Sequence, residues 1–175
     1  RLQKADIIAT VLFGDGAAAA VLQSGPAVTA GRVTLGEGQE YLWPDTLAIM
    51  GWDVDDNGLG VVFDRSIPGF VESHFREAVE AMLDRADLTL GDVDRLVCHP
   101  GGAKVLEAIE ATMGLAPGSL DAERDTLRAQ GNMSAPTALF VLDKVLKSGQ
   151  SGQLALCALG PGFTASMLPL TVAPS

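Results

Sequence analysis

The sequence predicts an α/β domain in which helices cover a mixed β-sheet. Three observations carry that prediction. The first third is made of short apolar runs punctuated by Gly, Pro and an Asp-Asp-Asn-Gly cluster, the punctuation of strands and turns. From Pro68 onward, segments with apolar residues at helical spacing alternate with short apolar runs, which indicates layers of helix on sheet. Finally, 175 residues with 47% hydrophobic content supply a core for one domain, residues 1–175, and exclude wholesale disorder.

In chain order, Ala5–Leu22 carries apolar runs around Gly14-Asp15-Gly16 and reads as strand, turn, strand, because paired glycines allow a tight turn and close backbone approach. Gly31–Glu40, Leu47–Val54 and Leu59–Phe63 read as extended, separated by Pro44-Asp45 and by Asp55–Gly58. Phe70, Val71, Phe75, Val79, Met82 and Leu83 then define a helix with Pro68 in its first turn. Arg95–Cys98 is a short buried strand and Ala103–Met113 a helix stopped by Gly114. Asp121–Gln130 reads as a helix with Asp121 at its N-cap and Gly131 beyond its end. Ser134–Lys147 is a helix with Pro136 in its first turn, and Ser134 is suited to capping it. Leu154–Leu159 and Phe163–Val172 close the chain as strands around Gly160-Pro161-Gly162.

The 22 acidic and 12 basic side chains give a net charge of −10, which argues against nucleic acid and against a polybasic membrane anchor. No apolar run approaches the roughly 20 residues of a membrane span. Cys98 and Cys157 lie in the apolar runs LVCHP and LALCALG, so they are expected to be reduced, buried thiols, in keeping with a cytoplasmic setting. The chain opens on Arg1 and enters an apolar run almost at once, which reads as a cut end.

Chemistry has few candidates. His74 sits among Glu72, Arg76 and Glu77 and reads as a surface histidine. His99 ends the Arg95–Cys98 strand and precedes Pro100-Gly101-Gly102, at the sheet edge where α/β proteins bind ligands. Both a satisfied core imidazole and a ligand-facing one fit that position. The two glycines would let a substrate approach the N-terminus of the next helix. Cys98 and His99 are adjacent on a strand, so they do not form a nucleophile–base pair. Asn132, between Gly131 and Met133, fits a turn or cap, or an amide donor to an oxyanion. Asp143 belongs on a solvated helix face. No residue set has the ligand count or spacing of a metal site.

Four segments together are distinctive: LFGDGAAAAVL (Leu12–Leu22), CHPGGAKVLEAIE (Cys98–Glu110), GNMSAPTALFVLD (Gly131–Asp143) and LGPGFT (Leu159–Thr164). In this order they resemble the C-terminal half of a type III polyketide synthase, of the chalcone and stilbene synthase family with its thiolase-like fold. The stretch Met50–Val71 is more similar to bacterial members making alkylpyrones or alkylresorcinols.

The resemblance implies a Cys-His-Asn triad whose His falls on His99 and whose Asn falls on Asn132. The Cys belongs to the other thiolase-like half, and neither Cys98 nor Cys157 occupies a matching motif. It further implies decarboxylative Claisen condensation of malonyl-CoA onto a starter from an acyl-CoA, with coenzyme A thioesters as substrates and no cofactor. The pantetheine arm would pass Gly101, Gly102 and Lys104, and Gly160, Pro161 and Gly162 would shape the cavity floor. Leu159 stands where the plant enzymes carry Phe, which bears on starter and product size together with Val61-Val62-Phe63. The implied partners are the N-terminal half of the same protein and, at full length, a second copy. Two other readings remain. One is a ketoacyl carrier-protein synthase III, disfavoured because that branch follows its His with Gln-Ala-Asn. The other is an assembly domain that is inactive by itself.

Overall fold

The computed structural model describes residues 4–25, 33–56 and 58–174. Lys4–Leu12 is a helix, α1, where a strand was expected. The β-branched Ile7, Ile8, Thr10 and Val11 prompted the expectation. The helix instead closes locally, with Thr10 Oγ1 donating to the Asp6 carbonyl at 2.8 Å and Phe13 N–H to that of Ala9 at 3.0 Å. The second expected strand, Ala17–Leu22, has no regular structure. Strand propensity is realised only against a neighbour, and no described strand pairs with this segment.

Gly31–Glu40 was expected as one extended run. Gly31 and Arg32 lie outside the described residues, and the remainder divides into β1 (Val33–Leu35) and β2 (Gln39–Leu42). The break falls at Gly36, where an added Cβ would lie 3.1 Å from the Pro169 side chain. Of Leu47–Val54, only the end is strand. Ile49 N–H turns back to the Thr46 carbonyl at 2.9 Å before β3 (Met50–Asp55) pairs antiparallel with β4 (Gly58–Phe63) as a separate hairpin. Gly58 takes φ +128° at the turn, a conformation strained for other residues.

Helix α2 (Ile67–Asp84) buries Val71, Phe75, Ala78, Val79, Met82 and Leu83 on one stripe, each larger aliphatic or aromatic side chain contributing about 1.5–3 kcal/mol of burial. A single 3-10 turn at Leu90–Asp92 leads to β5 (Arg95–Cys98), followed by α3 (Ala103–Met113). Gly114 ends α3 with φ +66°, the left-handed cap expected of it. Helix α4 (Asp121–Gln130) starts one residue earlier than expected: Leu120, not Asp121, occupies the N-cap position and Asp121 is the first helical residue. Its carboxylate still complements the helix dipole there.

After α5 (Ala135–Lys147) the chain forms β6 (Gly152–Gly160) and β7 (Thr164–Val172). The main sheet has the order β1-β7-β6-β5, with β2 also on β7. Its β5–β6 pair is parallel and the others antiparallel, so the sheet is mixed, as expected. Leu96, Cys98, Ala155 and Cys157 pack with α2 and α3 on one face. Val97, Leu154 and Leu170 pack with Val141 and Val145 of α5 on the other. This alternation makes a helix–sheet–helix sandwich.

Among the described residues, every exposed large hydrophobic side chain lies before residue 60, Val11 at 81% and Val21 at 92% exposure being the extremes. No described helix is long and apolar enough to cross a membrane.

Candidate active site

Strand β5 delivers His99 to the end of the sheet. The His99 N–H donates to the Cys157 carbonyl at 2.8 Å, continuing the ladder one residue past the strand. The Cys98↔Cys157 register sets Ala158 and Leu159 abreast of His99 and Pro100. The imidazole borders a small cleft with Phe75, Ile109, Cys157 and Leu159. Burial lowers its pKa from 6.5 to about 4, so the ring is neutral near pH 7 and carries one N–H. Its Nδ1 is buried without a hydrogen-bond partner, alone in this among described side-chain nitrogens and oxygens; Nε2 is not enclosed in that way. A bare, buried acceptor costs less than a buried N–H with nowhere to donate, so the proton belongs on Nε2.

Helix α4 delivers Asn132. Its last turn closes with Gly131 N–H on the Leu127 carbonyl at 2.9 Å and Gly131 at φ +72°. The next residue crosses the Leu12–Gly14 backbone: Asn132 N–H donates to Leu12 O at 2.8 Å, and Gly14 N–H to Asn132 O at 3.0 Å. Phe13 and Asn132 thus form an isolated parallel bridge. Only glycine fits at Gly14, where a Cβ would lie 2.1 Å from the Gln130 carbonyl oxygen.

The buried Asn132 amide is oriented by its two ends. Oδ1 accepts from Ser134 N–H at 2.8 Å, and Nδ2 donates to the Gly101 carbonyl at 3.4 Å. The second bond is long, and Nδ2 has a further hydrogen. Ser134 occupies the N-cap position of α5 at φ +61° without a side-chain cap bond. The turn into α5 is held instead by Thr137 and Asn132: Thr137 Oγ1 accepts from Met133 N–H at 2.8 Å while Asn132 Oδ1 accepts from Ser134 N–H at 2.8 Å.

The other candidates arrange around these two. Gly101 N–H donates to the His99 carbonyl at 3.0 Å, so Gly101 links the Asn132 side chain to the backbone of His99. Gly102 is the N-cap of α3, extended at φ 169°, with nothing within 4 Å of an added Cβ. Lys104 is exposed on the first turn of α3. Leu159 lies one residue before the end of β6, beside His99, and the chain turns through Gly160-Pro161-Gly162. That turn is tied down by Thr46, whose Oγ1 accepts from Phe163 N–H at 2.8 Å and directs its one proton mainly to Trp43 O at 2.6 Å, with Gly162 O at 3.1 Å as a second acceptor. Thr46 escaped the sequence reading because a threonine beside Pro44-Asp45 has no local signature of a partner 116 residues away.

Cys98 and Cys157 are free and buried. Burial pushes Cys157 up to about 12 and Cys98 well above the ordinary thiol range, with Cys157 and Glu123 adding to the effect on Cys98. Both are thiols, as expected, and neither is an activated nucleophile. His74 is exposed and packs on Phe70, ring centroids 4.4 Å apart. Asp143 pairs with Lys147 at 2.7 Å on the surface of α5. Among the described residues, no group of three or more His, Cys, Asp or Glu is placed to hold a metal ion.

A protein of Bacillus subtilis (strain 168) is 35% identical over 175 residues, covering 94% of this chain and 47% of its own. The 1,3,6,8-tetrahydroxynaphthalene synthase of Streptomyces peucetius subsp. caesius is 36% identical, covering 95% of this chain and 45% of its own. The chain thus spans about half the length of the curated relatives it matches. Among solved structures, the C-terminal type III polyketide synthase domain of a type I/III hybrid from Dictyostelium superposes with TM-score 0.73 at 27% identity, over 80% of this chain and 40% of that one. The 1,3,6,8-tetrahydroxynaphthalene synthase of Streptomyces coelicolor A3(2) shares the fold with TM-score 0.74 at 24% identity, over 82% and 42%. The profile for chalcone and stilbene synthases, C-terminal domain, matches residues 35–172, and the chain belongs to that family as its C-terminal domain.

Proposed function

We propose that this chain supplies the oxyanion-binding half of a condensing active site. His99 Nε2–H and Asn132 Nδ2–H would donate to the thioester oxygen of malonyl-CoA as carbon dioxide leaves. In that step the C2–carboxylate bond breaks and its electron pair moves into an enolate. The enolate carbon then attacks an acyl group held as a cysteine thioester, and the thiolate is released. Two hydrogen bonds that strengthen as charge develops are each worth about 3–4 kcal/mol. The nucleophilic cysteine would come from an N-terminal half of the same protein, and this chain alone would be inactive.

The observation that carries the reading is the position of Gly101 between the Asn132 side chain and the His99 backbone. Asn132 Nδ2 donates to its carbonyl, while its N–H is bonded to the carbonyl of His99. The neutral state of the imidazole supports a hydrogen-bond donor rather than a cation. The exposed apolar side chains of the first third support a docking face for the cysteine-bearing half. Gly101, Gly102 and Lys104 would line the pantetheine path, and Leu159 with the Gly160–Gly162 turn would bound the cavity. The full-length enzyme would act in the cytoplasm as a homodimer. The Met50–Val71 stretch favours a member of the alkylpyrone or alkylresorcinol type.

The test uses the full-length protein. His99→Ala and Asn132→Ala should each suppress malonyl-CoA decarboxylation while leaving cysteine acylation less affected. Equal loss of both steps would remove the oxyanion role. Extension from malonyl carried on an acyl carrier protein, but not from malonyl-CoA, would favour the ketoacyl synthase alternative.

A further inference from the structure

Among the described strands, β5 is at the edge of its sheet and pairs only with β6. Because the His99 N–H points to β6, strand alternation turns the Cys98 N–H toward the unpaired side. Two side chains meet the backbone there. Arg95 Nη1 donates to the Leu96 carbonyl at 2.5 Å, and its Nη2 donates to Glu123 Oε2 at 2.7 Å. Glu123 Oε1 accepts from Cys98 N–H at 3.1 Å. The guanidinium–carboxylate pair therefore bridges from Leu96 O to Cys98 N–H and stands where a further strand would. Glu123 is completely buried and Arg95 nearly so, at 15% side-chain exposure. An ion pair held so deep is weak evidence for stability as such, since apolar replacements often match it.

Its placement gives it another use. Glu123 lies on α4, nine residues before Asn132, and the strand it caps ends one residue before His99. The next residue, Arg124, reaches the other way: Nη1 and Nη2 donate to the Glu110 carboxylate on α3 at 2.7 and 2.6 Å. Helix α4 is thus fastened both to the strand that presents His99 and to the helix that follows Gly102. From this we infer that Glu123, together with Arg95, is a positioning element that fixes the arm carrying Asn132 against the arm carrying His99. The inference rests on the proposed oxyanion pair.

The experiment compares full-length wild type with Arg95→Met/Glu123→Leu, Glu123→Gln and His99→Ala. The apolar double variant keeps volume and removes the bridge without stranding a buried charge. It should melt within a few degrees of wild type, yet lose at least tenfold in kcat for malonyl-CoA decarboxylation with KM little changed, and show faster amide exchange at Cys98. Glu123→Gln, nearly isosteric, should fold and show a smaller kcat loss of the same kind, which serves if the double variant does not fold. Wild-type kcat in either folded variant, with His99→Ala impaired, overturns the positioning role alone. Undiminished decarboxylation in His99→Ala overturns the oxyanion reading and this inference with it.

Discussion

Asn132 Nδ2 donates to the carbonyl of Gly101 at 3.4 Å, two residues beyond His99. The same amide accepts the Ser134 N–H through Oδ1 at 2.8 Å, so one side chain both starts α5 and faces the His99 loop. Asn132→Ala should therefore show two separable losses. Leaving the Ser134 N–H without its acceptor should cost about 1–3 kcal/mol in urea unfolding. Removing the donor should lower decarboxylation by about 10²–10³-fold in the full-length protein. A stability loss with full decarboxylation would leave Asn132 a structural residue of the turn alone.

His99 gives a pH dependence with a definite sign. Its folded pKa of about 4 lies below the ordinary 6.5, so the unfolded chain binds the extra proton between those values. Stability is complete above pH 6.5, falls as pH drops toward 4 and then levels off, by on the order of 3 kcal/mol for this depth of burial. The carboxyls of Glu110 and Asp125, held below their usual range chiefly by hydrogen bonds from Arg124 and Lys144 respectively, lose their contributions further into acid. Chemical denaturation between pH 7 and 4 should show this slope in wild type and not in His99→Gln. The same slope in both would place the proton elsewhere.

Two glycines separate fold from substrate contact. Gly14→Ala drives a Cβ into the Gln130 carbonyl and should cost about 1–3 kcal/mol. Gly102→Ala meets nothing within 4 Å and needs no left-handed backbone, so its stability should stay within about 0.5 kcal/mol. If the pantetheine arm runs past this residue, Gly102→Ala should raise KM for malonyl-CoA. An unchanged KM would move the arm elsewhere.

Thr46 holds the Gly160–Gly162 turn. Thr46→Val leaves the Phe163 N–H and the Trp43 and Gly162 carbonyls without this partner and should cost about 1–3 kcal/mol, whereas Thr46→Ser should recover most of it. Thermal melts of the two variants decide, and equal melting would mean that the turn stands without the hydroxyl.

Local signals explain what was legible. Helix α3 ends at a left-handed glycine and β5 is a short apolar run stopped by His-Pro-Gly-Gly, so both were placed from sequence with the boundaries observed. The oxyanion candidates were legible through their motifs, and both lie beside the same loop. What failed depended on distant partners. The β-branched residues of α1 suggested a strand whose neighbour is not among the described elements. Glu123 looked like any charge on a polar helix, because nothing in α4 announces Arg95, 28 residues earlier. Charge turned inward is visible only once the sheet edge it closes is known.

The most direct test of the central claim is a crystal structure of the full-length protein with a thioester enolate mimic bound. The account predicts one mimic oxygen within about 2.7–3.1 Å of both His99 Nε2 and Asn132 Nδ2. A mimic oxygen that meets neither nitrogen, with Asn132 Nδ2 still tied to Gly101 O and His99 facing another cavity, would contradict it.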